Sequence, residues 1–310
     1  MKGRTTVVAV LCVVIAGTWY FWSRERSNAP RIAAPQANAD AAALPSAKAD
    51  SAAVATRQAN VASREDSLDE RPLAEVRAEL ERRAQAGDAR AASRLGQAFL
   101  YCNNLPAATD AQIDNAVVEI GAHGGRILGE LGSSLTPDDQ ASLLKATMKY
   151  AHARCANAQG LDEKDAAAQA FRWIERAAAL GDADAQALYG EAMLKTYDMR
   201  RAIADPETLR DRLTQARTYV EWSLLQGDAL ALLQAQTYYA DGVYPANPER
   251  AYANLYAYTL TPRSADMPPQ VLTLMLSEAS KVLDAAAIDR AREEGRRLAA
   301  CCGVSEGDGR

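Results

Sequence analysis

Three segments of this chain share one pattern, a Gly-Asp pair set between two Ala-rich stretches. Around Gly87 the chain reads AQAGDARAASRLGQAFLY, around Gly181 AALGDADAQALYGEAML, and around Gly227 SLLQGDALALLQAQTYYADG. Counted from each Gly, Asp stands at +1 and Ala at +2 and +4 in all three copies. Position +8 is Leu95, Tyr189 or Ala235, and position +9 is Gly96, Gly190 or Gln236. Eight residues upstream of the later two Gly stand Trp173 and Tyr219, each preceded three residues earlier by Ala170 and Ala216. A recurring unit of this kind is one supersecondary element that cannot bury its apolar face alone, so neighbouring units must stack. Each position has a physical reason. Gly87, Gly181 and Gly227 end one helix, where a left-handed residue without a Cβ is cheapest. The Asp that follows caps the next helix through its free amides. Ala and Gly on the facing sides let helices approach closely, and Trp173 and Tyr219 fill the space between neighbouring pairs.

The pattern is densest over 166–258. Ala170-x-x-Trp173, Ala177-Ala178, Gly181, Ala185 and Gly190 follow in turn, and Tyr239-x-x-Gly242 precedes Val243, Asn247 and Ala251. These residues resemble the Sel-one-like repeat, a relative of the tetratricopeptide repeat, over about 70–100 and 163–260. The resemblance implies an all-α fold, a right-handed solenoid of antiparallel helix pairs, and a protein-binding role. The sequence departs from the pattern twice: 102–160 carries no clear copy, and the copy after Ala251 fades, with no Gly-Asp at the repeat's spacing after Tyr256.

Further helices are marked locally. Thr136-Pro137-Asp138-Asp139 combines a cap, an early Pro and early acids, and opens a helix to about Cys155. Pro268 or Pro269 opens another, and 285–302 reads as a terminal helix whose polar side suits an array's end. The helical domain is placed at 71–303, with a disordered tail at 304–310.

The N-terminus is of a different kind. Thr5 to Ser23 carries no charge and is flanked by Lys2 and Arg4 on one side and Arg24 and Arg26 on the other. As a helix it spans about 28 Å, the thickness of a hydrocarbon core. Trp19, Tyr20, Phe21 and Trp22 gather at its far end, where aromatics suit the headgroup interface. Residues 1–26 are read as a retained transmembrane signal anchor that contacts the membrane through residues 5–22. A cleaved signal peptide, with Val14-Ile15-Ala16 as its loose site, is the alternative. Flanking charges nearly balance; the short N-terminal tail favours an inside N-terminus and an exported domain. Residues 27–70 are Ala-rich, interrupted by Pro30, Pro35 and Pro45, and almost without large apolar residues, so they read as a disordered linker.

Chemistry-bearing motifs are sparse. The net charge of −5 does not suggest a nucleic-acid partner. His123 and His152 are the two histidines, and His152-x-x-Cys155 lacks the further ligands that zinc requires. Gly121-Ala122-His123-Gly124-Gly125-Arg126 lacks the Gly-Lys-Ser/Thr ending of a phosphate loop and no strand precedes it. Asp138-Asp139 and Asp162-Glu163-x-Asp165 sit at helix starts, where the dipole favours acids. No cofactor, metal or catalytic residue is expected. Cys102 and Cys155 each precede a polar loop and pair as a disulfide if the domain is exported, or stay free thiols if it is cytosolic. Adjacent Cys301 and Cys302 are undecided. Nine of the twelve tyrosines lie between Tyr189 and Tyr258. Among them Tyr238, Tyr244, Tyr252 and Tyr256 either line a binding face or pack between helices.

The leading expectation is a non-enzymatic scaffold of a bacterial envelope, anchored in the inner membrane, with its repeat array in the periplasm and a protein or peptide on the concave face. A cell-wall or β-lactam-related hydrolase and a cytosol-facing adaptor are the alternatives.

Overall fold

The computed structural model describes residues 71–105, 108–122, 136–197, 199–241 and 243–301. They belong to one compact unit that begins at Arg71. The anchor at 1–26, the linker at 27–70, His123, Gly242, Cys302 and the tail at 304–310 lie outside the described residues. Among the described residues there is no strand, and no helix is long and apolar enough to cross a membrane.

Twelve α-helices are described: α1 Leu73–Gln85, α2 Ala89–Tyr101, α3 Asp110–Ala122, α4 Pro137–Arg154, α5 Ala166–Ala179, α6 Ala183–Leu194, α7 Met199–Ala204, α8 Pro206–Leu225, α9 Ala229–Asp241, α10 Pro248–Thr259, α11 Pro269–Ser280 and α12 Ala285–Cys301. Helices α1/α2, α5/α6 and α8/α9 form pairs, each turning on a Gly-Asp. The three turns are built alike. Gly87, Gly181 and Gly227 have φ of +98°, +92° and +80°. The amide of each Gly donates to the carbonyl three residues back, at 3.2, 3.0 and 3.0 Å. The amide of each following Asp donates to the carbonyl five residues back, at 3.0, 3.1 and 3.1 Å. This double bond closes a helix C-terminus with a left-handed residue. The Asp then turns to the next helix: Asp88 accepts from the Ala91 amide at 3.0 Å, Asp182 from Ala185 at 2.8 Å and Asp228 from Leu230 at 3.0 Å. Two residues thus end one helix and begin the next.

Pairs stack through small residues. A Cβ on Gly96 would lie 2.6 Å from Ile174 Cγ1 and 3.0 Å from the Ile174 amide nitrogen, so α2 and α5 meet nearly backbone to backbone. A Cβ on Gly190 would lie 1.6 Å from the Tyr238 hydroxyl, so the absence of a side chain on α6 makes room for a ring of α9. Around these contacts Leu95, Ala170, Trp173, Tyr189, Ala216 and Tyr219 are all buried. Tyr189 sits edge-on between Phe171 and Tyr219, at centroid distances of 5.5 and 5.1 Å. Polar contacts also cross from pair to pair. Arg176 of α5 donates to the Ala84 and Gln85 carbonyls that end α1, both at 2.6 Å. Ser223 of α8 donates to the Ala183 carbonyl at 2.9 Å.

Both sequence departures are insertions. The segment between α2 and α5 forms an antiparallel hairpin, α3 and α4, outside the stack. Its ends are drawn together. Cys102 and Cys155 form a disulfide with Cα atoms 5.5 Å apart. The Asn104 amide donates to the Leu161 carbonyl at 2.8 Å, and the Asn103 side chain exchanges bonds of 3.1 and 2.8 Å with the Glu163 backbone. The second departure follows α10, which packs on α12 as a fourth pair with a 3-10 turn, Pro262–Asp266, and α11 between them. Gly295 makes that contact close: its Cβ would meet the Ala253 carbonyl and the Tyr256 ring at 2.8 Å. Without a Gly-Asp, α10 ends at Leu260 through bonds from the Leu260 and Thr261 amides to Ala257 and Tyr258, both 3.0 Å.

Replacing Gly190 with Ala is expected to cost about 2 kcal/mol, because the added carbon overlaps the Tyr238 hydroxyl. In a Tyr238→Phe background the same change should cost measurably less, since the two sites share one space. Urea denaturation of the four proteins checks this; equal costs in both backgrounds would show that the two helices do not meet there.

Candidate interaction face

The second helices of the first three pairs, α2, α6 and α9, lie in a row, and on one side they carry a run of polar residues, of which Ser93 and Gln234 are buried. On α2 these are Ser93, Gln97 and Tyr101, spaced by four and so stacked on one face. On α6 they are Asp184 and Glu191, followed by Lys195 at its C-terminal cap, and on α9 Gln234. Glu191 is the centre. Its carboxylate accepts from the Tyr101 hydroxyl at 2.8 Å and from Gln234 Nε2 at 3.1 Å, and Lys195 Nζ lies 3.5 Å away. One carboxylate therefore joins three consecutive second helices. Lys195 also donates to the Leu100 carbonyl at 3.3 Å, next to the C-terminus of α2. The Arg154 guanidinium, at the end of α4, sits 3.7 Å above the Tyr101 ring, with Lys195 5.5 Å from the same ring. Burial, reinforced by the Glu191 charge, holds the Tyr101 phenol well above its ordinary pKa, so it donates as a neutral hydroxyl.

Two turns along α6 lies a second ionic group. Arg263, from the 3-10 turn after α10, donates to both Asp184 oxygens at 2.7 and 2.9 Å and to Asp228 at 2.7 Å. Burial works against the Asp184 carboxylate, but the fork of Arg263 outweighs it and holds its pKa below the usual value. Asp228 goes the other way, pushed up by burial and by the Asp184 charge. The turn that lacks Gly-Asp thereby supplies one cation shared by Asp228 of a Gly-Asp turn and Asp184 of the first turn of α6.

The acids of this face are already engaged. Glu191 already has three donors, and Asp184 and Asp228 share one guanidinium. Among the described residues no group of three or more His, Cys, Asp and Glu is arranged to hold a metal ion. His152 is half-buried on α4, and desolvation lowers its pKa, which favours the neutral ring at pH 7.

The four tyrosines considered as a binding face divide into two packed groups. Tyr238 is 1% exposed and Tyr252 3% exposed, so both are core residues and the surface reading is corrected for them. Tyr244 is half-buried and stacked on Tyr239 at 4.6 Å, with Tyr238 at 5.9 Å. Tyr256 is half-buried and lies parallel to Tyr252 at 6.4 Å, against α12. The network at Glu191 was missed at the sequence level. Its only local signal is the four-residue spacing of Ser93, Gln97 and Tyr101 on an otherwise Ala-rich helix.

Buried phenols give the fold a pH signature. Tyr189 and Tyr258 are pushed up to about 12, chiefly by burial. An unfolded chain releases those protons near pH 10. Above pH 10 the folded state thus holds more protons than the unfolded one, and stability falls as pH rises. Urea midpoints measured from pH 8.5 to 11.5 should decline beyond about pH 10, and less steeply in Tyr189→Phe; a flat profile through pH 11.5 would contradict the burial of these rings.

Compared with protein-family models and with curated proteins, the chain matches none.

Proposed function

We propose that this protein is a non-enzymatic interaction module of a bacterial cell envelope. In this reading the stacked pairs are a right-handed solenoid of the Sel-one-like type. A transmembrane helix at 5–22 and the Ala/Pro-rich linker hold it to the inner membrane, with the array in the periplasm. A protein or peptide partner binds the polar side of α2, α6 and α9, which is the concave side of such a solenoid. The observation that carries the proposal is the charged stripe tied together by Glu191 across three successive helices. A row of polar groups held in fixed register on rigid helices is suited to reading an extended partner, because little ordering remains to be done on binding. The Cys102–Cys155 pairing supports the exported orientation, since such bonds persist in oxidising compartments and a cytosol-facing adaptor would keep its thiols reduced.

The test is site-specific photo-crosslinking of the full chain in intact cells. A photoreactive residue replaces Lys195 on the stripe, Arg154 beside it at the end of α4, or Arg172 on the exposed side of α5. One discrete adduct from the first two positions and none from the third is the expected result. No adduct from any position, or the same adducts from all three, would refute an interaction role for this face.

A further inference from the structure

Helix α4 runs between the end of α2 and α11. Its C-terminal end lies at Tyr101 of α2, and it also packs against α11, beyond α9 and α10 in the chain. On α11, Leu272 and Leu276 belong to clusters with α10 and α12. Leu274 lies on the other side of that helix and is as buried as Leu272, on the side left for α4. Along its length α4 is tied to α3 by Lys145–Asp114 at 2.8 Å and Lys149–Asp110 at 2.6 Å.

The attachment of α4 to the stack is uneven. The chain leaves the stack at Asn104, with φ +60°, and returns at Gly160, with φ +81°. The bonds from Asn103 and Asn104 to Leu161 and Glu163 lie on the stack side of both points, so they hold the ends of the insertion together without holding α4. The disulfide does something different. Cys102 ends α2, which belongs to the stack, and Cys155 ends α4, which belongs to the insertion. The covalent link therefore crosses the hinge, and the Arg154–Tyr101 contact lies beside it. Cys102 and Cys155 are themselves buried, at 4% and 1% exposure, while Asn104, Ala156, Asn157, Gln159 and Gly160 around them are exposed.

We propose that α4 is a lid on the polar face, held shut by the Cys102–Cys155 disulfide, and that reduction of this bond opens it. A dithiol reductant supplies two electrons and two protons. The sulfur–sulfur bond breaks, Cys102 and Cys155 become thiols, and the reductant becomes a disulfide; a disulfide-donating protein reverses the exchange. With the bond cut, α4 swings about Asn104 and Gly160, Arg154 leaves the Tyr101 ring, and Tyr101 and Glu191 are uncovered, while Lys195 is exposed in either state. The lid is a property of the fold and holds whether or not the face has a partner.

Hydrogen exchange read by mass spectrometry on the full chain in detergent micelles tests this, before and after dithiothreitol and in the C102S/C155S variant. Peptides from 137–154 should exchange at least ten-fold faster without the bond, and those from 269–280 should follow. Peptides from 166–194 and 206–225 should keep their rates. Unchanged exchange in 137–154 overturns the proposal, and so does a uniform loss of protection along the chain, which would make the bond a general staple. If the double variant does not fold, the reduced natural chain carries the test, and a bond that dithiothreitol leaves intact in the folded protein also overturns it.

Discussion

The contact of α2 with α5 carries the array across a gap in its own pattern. Some sixty residues separate these helices in the chain, yet they touch as closely as members of one pair, because Gly96 presents no side chain to Ile174. Arg176 reinforces the junction by closing the end of α1. Everything C-terminal follows from it. With α5 seated on α2, α6 takes its place beside α2 in the second row. Only then do Tyr101 and Glu191, 90 residues apart, come within hydrogen-bond reach.

The polar face is a matter of register more than of stability. Burying ionic groups costs desolvation that their attraction only about repays, so Glu191 and the Asp184–Arg263–Asp228 group are weak reasons for the fold to hold together. They fix which residue faces which. A shift of one turn between α6 and α9 would separate Gln234 from Glu191 and leave a half-buried carboxylate short of donors, a larger penalty than the bond's own worth. The apolar rows set the distance between helices, and these bonds set their phase. The same division explains the disulfide. It adds little to the stack, whose ends at Asn104 and Leu161 are already bonded, but it decides where α4 rests.

Legibility followed the range of the interaction. The Gly-Asp turn is local: six residues contain the left-handed Gly, both carbonyl bonds and the cap, so the sequence carries it whole. The helix starts at Thr136-Pro137 and Pro269 were readable for the same reason. Cys102 and Cys155 were readable as a pair because each ends a helix before a polar loop. Much less was readable where partners are distant. Tyr238 resembles a surface anchor until Gly190, 48 residues earlier, is found against its hydroxyl, and then it is core. Gly295 carries no Gly-Asp signature, and its role is visible only once α12 lies on α10. The Glu191 centre was invisible because a lone Glu on an Ala-rich helix gives no sign that donors from two other helices converge on it. Arg263 was hidden by the absence of the motif at the very turn it serves.

Excising the insertion tests the central claim, that the array is continuous beneath it. Residues 105–160 would be replaced by a linker of about three glycines joining Asn104 to Leu161, whose backbone atoms are 2.8 Å apart, with Cys102→Ser to avoid a lone thiol. Thermal unfolding followed by circular dichroism should remain one cooperative transition, with helix lost only in proportion to the residues removed. Two separate transitions, or loss of structure in 73–101, would mean that α2 and α5 are held together by the insertion and not by Gly96 and Ile174.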